Sequence, residues 1–548
     1  MILCFALYLA VAIVLDFRYL TFNGDAASRM ANGFYVLYSR DPHLAAIGFV
    51  WNPGTSIADM VPLLFYHLWT PLASHMFAAS LVSALSMAGA IYQVRCTLAE
   101  WGVPRLPRLV LVVLLALNAM IVYYGGNGMS EGLYLFTLLA TCRYLLRWMR
   151  DDDLGSLVYA AIALGVCYIV RNEAVGPALI GGAAVLGVSF ARRSSSLFLR
   201  TSIRRSARLW AALTDLVIFE IPLAAALVVW AVASFVITGS PFQQFTSVYG
   251  NTSQEKLLTH LNLHDRLVTD VRDVSYLAPT LLIALFIAVY LAVRRRDVGV
   301  LAPLAIVGGG LAFDVLGYAA NTIQPFFRYF ITAVPLVILL VGSFFATNPA
   351  LLETVRKDGP VRRRARRWTA AALAAVVALV LIVPAEVTSV RGMGNPRVGT
   401  EETEFLGFIF RKHPTPTDLN AKRQYGATLV LADYLARQHF PDGQVVVDNF
   451  SPCIPQVITM SPNPDIFVIP NDRDYQRTLN DPLAFHTHYI LDVDPAGVGG
   501  LTAPNTTFPT LWKTGAGFTT VVHTFPAAGL CAEFKLMRVT GHPNRATR

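Results

Sequence analysis

The chain has 548 residues, of which 55% are hydrophobic and only 14% charged, whereas soluble domains carry roughly 25% charged residues. That balance excludes a soluble globular protein and a disordered one, and it assigns most of the chain to a membrane. The net charge of +9 records where basic residues sit relative to the bilayer and is not the mark of a nucleic-acid surface.

A hydrocarbon core about 30 Å thick needs ~20 apolar residues per crossing helix. The first apolar run covers residues 2–17. It lacks a basic segment ahead of it and a clear small-residue cleavage site, so it reads as a retained helix rather than a signal peptide. Directly after it comes Asn23-Gly24-Asp25-Ala26-Ala27-Ser28-Arg29, which opens a long polar loop over residues 21–72. Asp25, Arg29 and Asn32 recur at helical spacing, with Met30, Phe34 and Leu37 opposite, which predicts a short interfacial helix with one face to lipid and one to a polar cavity. A second amphipathic piece spans Ser56 to Trp69, and between them Asp41 stands as a second carboxylate in a turn-forming Asp41-Pro42 pair. Loops of this length are usually functional. The plainer reading is that Asp25 caps the helix and Arg29 neutralises it.

Ten further apolar runs follow, over residues 75–94, 108–124, 131–146, 155–170, 174–190, 212–237, 276–293, 298–317, 329–346 and 369–384. Only Arg171-Asn172-Glu173 interrupts the fifth and sixth of the eleven, so periodicity leaves open whether these are two spans or one. Alternate loops hold the basic residues: Arg105 and Arg108; Arg143, Arg147 and Arg150; Arg192, Arg193, Arg200, Arg204, Arg205 and Arg208; Arg294 to Arg296; and a cluster from Arg356 to Arg367. Cytoplasmic loops retain Lys and Arg, which puts the amino end inside and everything after residue 385 outside a bacterial cytoplasmic membrane. The transmembrane part is thus residues 1–384. Gly308-Gly309-Gly310 lies within a span and reads as close helix packing.

Residues 385–548 have the composition of a small soluble α/β domain. Strand-like runs occupy Gln444 to Asp448, Asp465 to Pro470, His488 to Val493, Thr519 to Thr524 and Ala532 to Val539, and a helical pattern covers Ala427 to His439. Cys453 and Cys531 fall in this exported part and are expected to pair as a disulfide, whereas Cys4, Cys96, Cys142 and Cys167 lie in or beside spans. His486 and His488 share a strand face with Asp492 and Asp494 by alternation, the pattern of ordinary packed or surface side chains more than of a metal site. Asn251-Thr252-Ser253 and Asn505-Thr506-Thr507 match the glycosylation triplet.

Four constellations on the expected outer side carry a resemblance: Asp25 just after the first span, Met129-Ser130-Glu131 opening the fourth, Arg171-Asn172-Glu173 after the fifth, and Arg328-Tyr329 opening a late span. In this order, with long outer loops, residues 1–345 resemble the GT-C membrane glycosyltransferases, especially bacterial enzymes that use polyprenyl-phosphate sugars. The resemblance implies inverting transfer of one sugar from a polyprenyl-phosphate donor to an envelope glycan or glycolipid acceptor, with no nucleic-acid partner. It implies Asp25 as general base, Arg171 and Arg328 with Arg29 as ligands of the donor phosphate, and Glu131, Asp41, Glu173 and Tyr329 in sugar or acceptor binding. Arabinofuranose and mannose are the expected donor sugars. No cofactor is called for: Asp25 is followed by Ala26 where many relatives carry a second acid, which argues against a divalent metal. The Trp-Trp-Asp signature of oligosaccharyltransferases is absent.

Each residue also has a plainer role. Arg328 would snorkel to headgroups, Arg171 and Glu173 would pair only with each other, and Glu131 would favour its own helix start. In the exported domain Trp512, Phe518 and Tyr475 are expected to stack on the acceptor. Two rival classes remain open: a transporter or flippase of lipid-linked sugars, although no repeat relates the two halves, and a non-catalytic membrane scaffold that binds envelope polymer.

Overall fold

The computed structural model describes residues 1–21, 23–192, 205–247, 261–324, 326–346, 360–451 and 453–543. Arg193, Arg200, Arg204, the Asn251-Thr252-Ser253 triplet and the side chains of the Arg356 to Arg367 cluster lie outside the described residues.

All eleven apolar runs are helical. Among the described residues, five helices meet the length and apolarity of a crossing by themselves: Ile2–Tyr19, Phe77–Glu100, Asn172–Arg192, Arg205–Thr238 and Val298–Ala319. The helices Leu263–Leu277 and Leu281–Arg295, which meet at 76°, reach that length and apolarity only when taken together. The chain is a multi-pass membrane protein. Local chemistry explains the interruptions. The run over 108–124 breaks at Asn118, whose side chain caps the next segment by accepting from Met120 N at 3.1 Å and donates to Glu386 Oε2 at 3.0 Å. The fifth and sixth runs are two helices, Leu154–Val170 and Val175–Arg192, because Arg171 takes an extended conformation between them.

The Glu131–Asp151 helix is the central post, packed against Phe77–Glu100, Leu154–Val170 and Leu301–Ala319. Its 21 residues rise about 30 Å, close to the hydrocarbon thickness. Glu131 is at one end. At the other, Arg143 Nη2 meets Glu100 Oε1 at 2.5 Å and Arg192 Nη2 donates to Trp148 O at 3.1 Å, so these basic residues gather opposite Glu131. The triple glycine serves packing: a Cβ added to Gly176 would stand 2.4 Å from Gly309 O, where two spans cross.

The loop after the first span folds into Gly24–Tyr38 and Gly54–Leu63. The first helix does not lie against lipid as its pattern suggests. Met30 and Phe34 are buried, because the helix is covered by Gly54–Leu63 on one side and by Ile454–Met460 on the other. The lipid-type surface belongs to the second piece, where Ile57, Val61, Leu64, Phe65 and Leu68 are exposed.

The carboxy-terminal part holds a five-stranded sheet in the order β2-β1-β3-β5-β4, with β1 Val445–Val447, β2 Phe467–Val468, β3 Tyr489–Val493, β4 Thr519–Phe525 and β5 Phe534–Val539. β1 runs parallel to β2 and β3, and β5 is antiparallel to β3 and β4. Val445, Val446 and Val447 are all buried, as expected of a strand covered on both faces. β1, β2, β3 and β5 fall within their predicted runs, β4 extends one residue past its own to Phe525, and the helix Asn420–Arg437 begins and ends earlier than its predicted pattern. Cys453 and Cys531 are disulfide-bonded with Cα atoms 5.6 Å apart, and the other four cysteines are free.

This sheet region is pinned onto the membrane part through alternating charges. Arg40 Nη2 meets Asp472 Oδ2 at 3.1 Å and also pairs with Asp474, while Asp41 takes Arg473 through Nε at 3.0 Å and backbone N at 3.0 Å. Asn471 Nδ2 donates to Ala46 O at 2.6 Å. Beside that contact Gly48 sits at φ +72°, where a Cβ would be strained and 3.3 Å from the Asn471 amide.

Candidate active site

The helix that carries Asp25 starts with Asn23 as its cap, whose side chain accepts from Asp25 N at 3.0 Å. Asp25 is therefore released from the capping role, and it forms no ion pair with Arg29 among the described residues. Its Oδ2 instead receives Arg328 Nη2 at 2.6 Å.

Arg328 is the hub. Only 2% of its side chain is exposed, so it does not snorkel to headgroups. Its Nη1 pairs with Glu401, and its Nε faces Glu131 Oε1 at 3.5 Å. Glu131, 1% exposed, also accepts from Arg171 Nη1 at 2.6 Å, and Arg171 Nε donates to Glu173 at 2.7 Å. Arg171 and Glu173 are thus not a closed pair. The chain of charges runs Asp25, Arg328, Glu131, Arg171, Glu173, with Glu401 as a branch. Tyr329 stacks between the two guanidiniums, its ring centre 5.2 Å from Arg171 Cζ and 5.5 Å from Arg328 Cζ, and Phe326 covers Arg328 at 4.4 Å. Ion pairs so buried cost desolvation and are weak evidence for stability, which leaves position of charge as the reason to assemble them here.

Arg29 differs from the other two arginines. It is buried, its Cζ lies 4.3 Å from the centre of the Trp51 ring, and its guanidinium makes no ion pair or hydrogen bond among the described residues. Burial lowers its pKa, partly offset by the nearby Asp25 carboxylate. Asp59, fully buried on the facing helix with neither carboxylate oxygen hydrogen-bonded among the described residues, is pushed well above the ordinary carboxyl range by burial, against the pull of Arg29.

A cavity of about 610 Å³ opens beside this network. Asp25, Ser28, Asn32 and Tyr35 line it as one stripe of the Gly24–Tyr38 helix, joined by Phe49 and Trp51 from the following loop. The far wall is carboxy-terminal: Asn449, Phe450, Ser451, Asn471, Asp472 and Arg473. Of the charge network, Asp25 is the member that reaches the cavity, and 30% of its side chain is exposed.

Several sequence-based expectations change here. Asp41 stands outside the network: held by Arg473, its carboxyl lies well below the ordinary range, and it serves as a tie between segments rather than as a second carboxylate of the site. Phe518 and Tyr475 are buried in the sheet's core, and Trp512 packs on Lys535 Nζ at 4.0 Å, so none of these aromatics faces the cavity. His488 bonds Gln444, and no group of three metal-ligating side chains assembles among the described residues. Asn505 is buried, with its Nδ2 donating to Val493 O at 2.8 Å, which closes that glycosylation triplet to modification. Glu401 was missed because it lies beyond the last span, in a segment read as soluble domain. Its signal was the acidic pair Glu401-Glu402 at the start of Thr400–Phe410, whose second member accepts from the Tyr124 hydroxyl at 2.5 Å.

No protein-family model matches the chain, and no curated protein sequence matches it. Solved structures do. ArnT from Cupriavidus metallidurans bound to undecaprenyl phosphate is 13% identical, with 97% of each chain covered and a TM-score of 0.50. The apo state of the same protein gives 14% identity, 97% of each chain and 0.48. The archaeal oligosaccharyltransferase AglB from Archaeoglobus fulgidus, at 10% identity, matches over 90% of this chain and 69% of that chain with a TM-score of 0.44. The likeness to the first of these spans both chains almost end to end, and the chain has the GT-C fold.

Proposed function

We propose that this GT-C-fold protein is an inverting glycosyltransferase, moving one sugar from a polyprenyl-phosphate donor to an envelope glycan or glycolipid on the outer face of the cytoplasmic membrane. In that orientation the amino end is inside and the carboxy-terminal sheet region outside. Arabinofuranose and mannose are the donor sugars proposed.

One observation carries the reading: Asp25 is at once anchored in a buried charge network and open to the cavity. An acceptor hydroxyl is a weak nucleophile, and a fixed carboxylate as general base contributes typically ~10²–10⁴-fold. Arg328 occupies Oδ2, and Oδ1 is the oxygen proposed to take the acceptor's proton. The acceptor oxygen bonds to the anomeric carbon, the bond from that carbon to the phosphate oxygen breaks, its electron pair leaves on the polyprenyl phosphate, and the proton passes to Asp25. Attack opposite the leaving group inverts the anomeric centre.

The leaving phosphate needs fixed positive charge and no general acid. Arg171 and Arg328 are already matched to carboxylates, so they act by setting the field and holding Asp25. Arg29, whose guanidinium has no hydrogen-bond or ion-pair partner among the described residues, is the ligand proposed for the phosphate. The undecaprenyl phosphate in the ArnT structure supports a lipid phosphate in this fold.

The test offers purified protein a panel of polyprenyl-phosphate sugars with envelope acceptor fragments. Transfer of one sugar by the natural chain, reduced at least 100-fold in Asp25→Asn with donor binding intact, is the expected result. No transfer from any donor, or an Asp25→Asn variant as active as the natural protein, would refute the proposal.

A further inference from the structure

We infer that the lipid-facing surface shared by the helices Val175–Arg192 and Arg205–Thr238 docks a second copy of this chain, with Glu220 of each copy meeting its counterpart across a two-fold axis normal to the membrane. Glu220 belongs to no part of the candidate active site, so the inference stands apart from the transferase reading.

Glu220 lies near the middle of the 34-residue helix Arg205–Thr238, about 20 Å or more from either end, too deep for its short side chain to reach the headgroups. Ionisable groups at such depth are rare, almost always face the protein interior and a partner, and mark function. Asp215 on the same helix follows that rule: it is buried and accepts from Ser189 Oγ at 2.5 Å. Glu220 breaks it. Its side chain is only half-buried, and it makes no hydrogen bond or ion pair among the described residues. Its Oε1 lies over Gly182 of the neighbouring helix, where an added Cβ would collide with it. The carboxyl is thus held at the seam between the two helices, at the edge that faces lipid.

Beside that carboxyl the surface is shaped for close approach. Ala183 and Gly187 are exposed one turn apart on Val175–Arg192, and a Cβ at Gly187 would meet nothing within 4 Å. Ala224, one turn beyond Glu220, is exposed as well. Small residues at this spacing let membrane helices approach backbone to backbone, and a polar side chain among them adds an interhelical hydrogen bond. Symmetry and chemistry then select the occupant. Copies inserted in the same orientation pair isologously only about an axis along the membrane normal, which sets residues near that axis opposite themselves at the same depth. A carboxyl that keeps its proton both donates and accepts, so it complements a second carboxyl of the same kind. A copy of this chain therefore supplies both the missing partner of Glu220 and a matching stripe of small residues.

The test reconstitutes the full chain in liposomes at low protein-to-lipid ratio and reads association by resonance energy transfer between donor- and acceptor-labelled copies. The natural chain should associate, and Glu220→Leu and Gly187→Leu should each weaken association at least about 10-fold. Glu220→Gln, which keeps a donor and an acceptor, should retain it. Phe286→Ala, at an exposed position on Leu281–Arg295, should leave it unchanged. Gly187→Leu places its side chain in open space, so a folding defect does not cloud its result. Under oxidation Ala224→Cys should cross-link to its counterpart in the second copy, and Phe286→Cys should not. A natural chain that is monomeric at every protein density would overturn the inference, as would full association of both leucine variants or cross-linking at position 286 in place of 224. A loss in Glu220→Gln as deep as in Glu220→Leu would point to a basic partner helix and overturn it too.

Discussion

At the residue scale, the arginines divide by what they touch. Arg328 and Arg171 each neutralise carboxylates and could not be removed without leaving buried acids uncompensated, at a cost of about 3–5 kcal/mol. Arg29 bears its charge in a buried place with no bonding partner among the described residues, a cost that binding of an anion would recover. Arg29→Met should therefore leave thermal stability of the unliganded protein unchanged or raised, as apolar replacements of buried charges often do. The same variant should bind undecaprenyl phosphate about 10- to 100-fold more weakly, the loss of ~1.5–3 kcal/mol for a hydrogen bond to a charged group. Isothermal titration of the lipid phosphate beside a melting curve checks both halves. A variant that melts earlier and binds the lipid normally would make Arg29 a structural residue.

At the scale of elements, one strand carries a buried acid that lies outside the charge network. Asp492 on β3 is 1% exposed, no side chain among the described residues hydrogen-bonds it, and burial raises its pKa to about 7 against the opposing pull of the Val493 N–H and Lys535. Its folded pKa lies above the unfolded carboxyl value, so the folded state holds the proton more tightly. Stability is therefore complete at pH values below the unfolded pKa and is lost as pH rises through about 7. The natural chain should melt at a lower temperature at pH 8 than at pH 5. Asp492→Asn should flatten that dependence and gain about 1–3 kcal/mol at pH 8. Thermal unfolding of the full chain in detergent across this range decides it, and a profile identical in both proteins would mean that water or another group meets the carboxylate. The elements themselves were largely legible. Val445-Val446-Val447 read as a strand because β-branched side chains buried on both faces leave little other choice, and Asn118 could not be read as a break because a single Asn inside an apolar run gives no warning of its own capping bond.

For the whole molecule, the carboxy-terminal part is a wall of the site and a source of charge for it. Truncation near residue 390 removes Glu401 from Arg328, the cavity wall from 449 to 473, and the partners of Arg40 and Asp41. Such a truncation should lose at least about 100-fold of transfer even to a small soluble acceptor, as expected when a positioned catalytic group is released. Activity assays on small and polymeric acceptors side by side check it. A truncated chain that is folded and fully active on both would reduce this part to an accessory.

By itself the sequence determined that the chain crosses a membrane many times, that a sheet follows, and that acids and arginines recur at the ends of particular spans. Those properties are local: hydropathy, alternation and charge placement are written in neighbouring residues. The tertiary structure decided which of those charges meet. Asp25 and Arg328 are 303 residues apart and bond at 2.6 Å. Asp41, expected as a second carboxylate of the site, is drawn to Arg473, and Glu401 arrives from beyond the last span. Partner choice among similar charges depends on how helices pack and where the returning segment docks, and no single stretch of sequence holds that information.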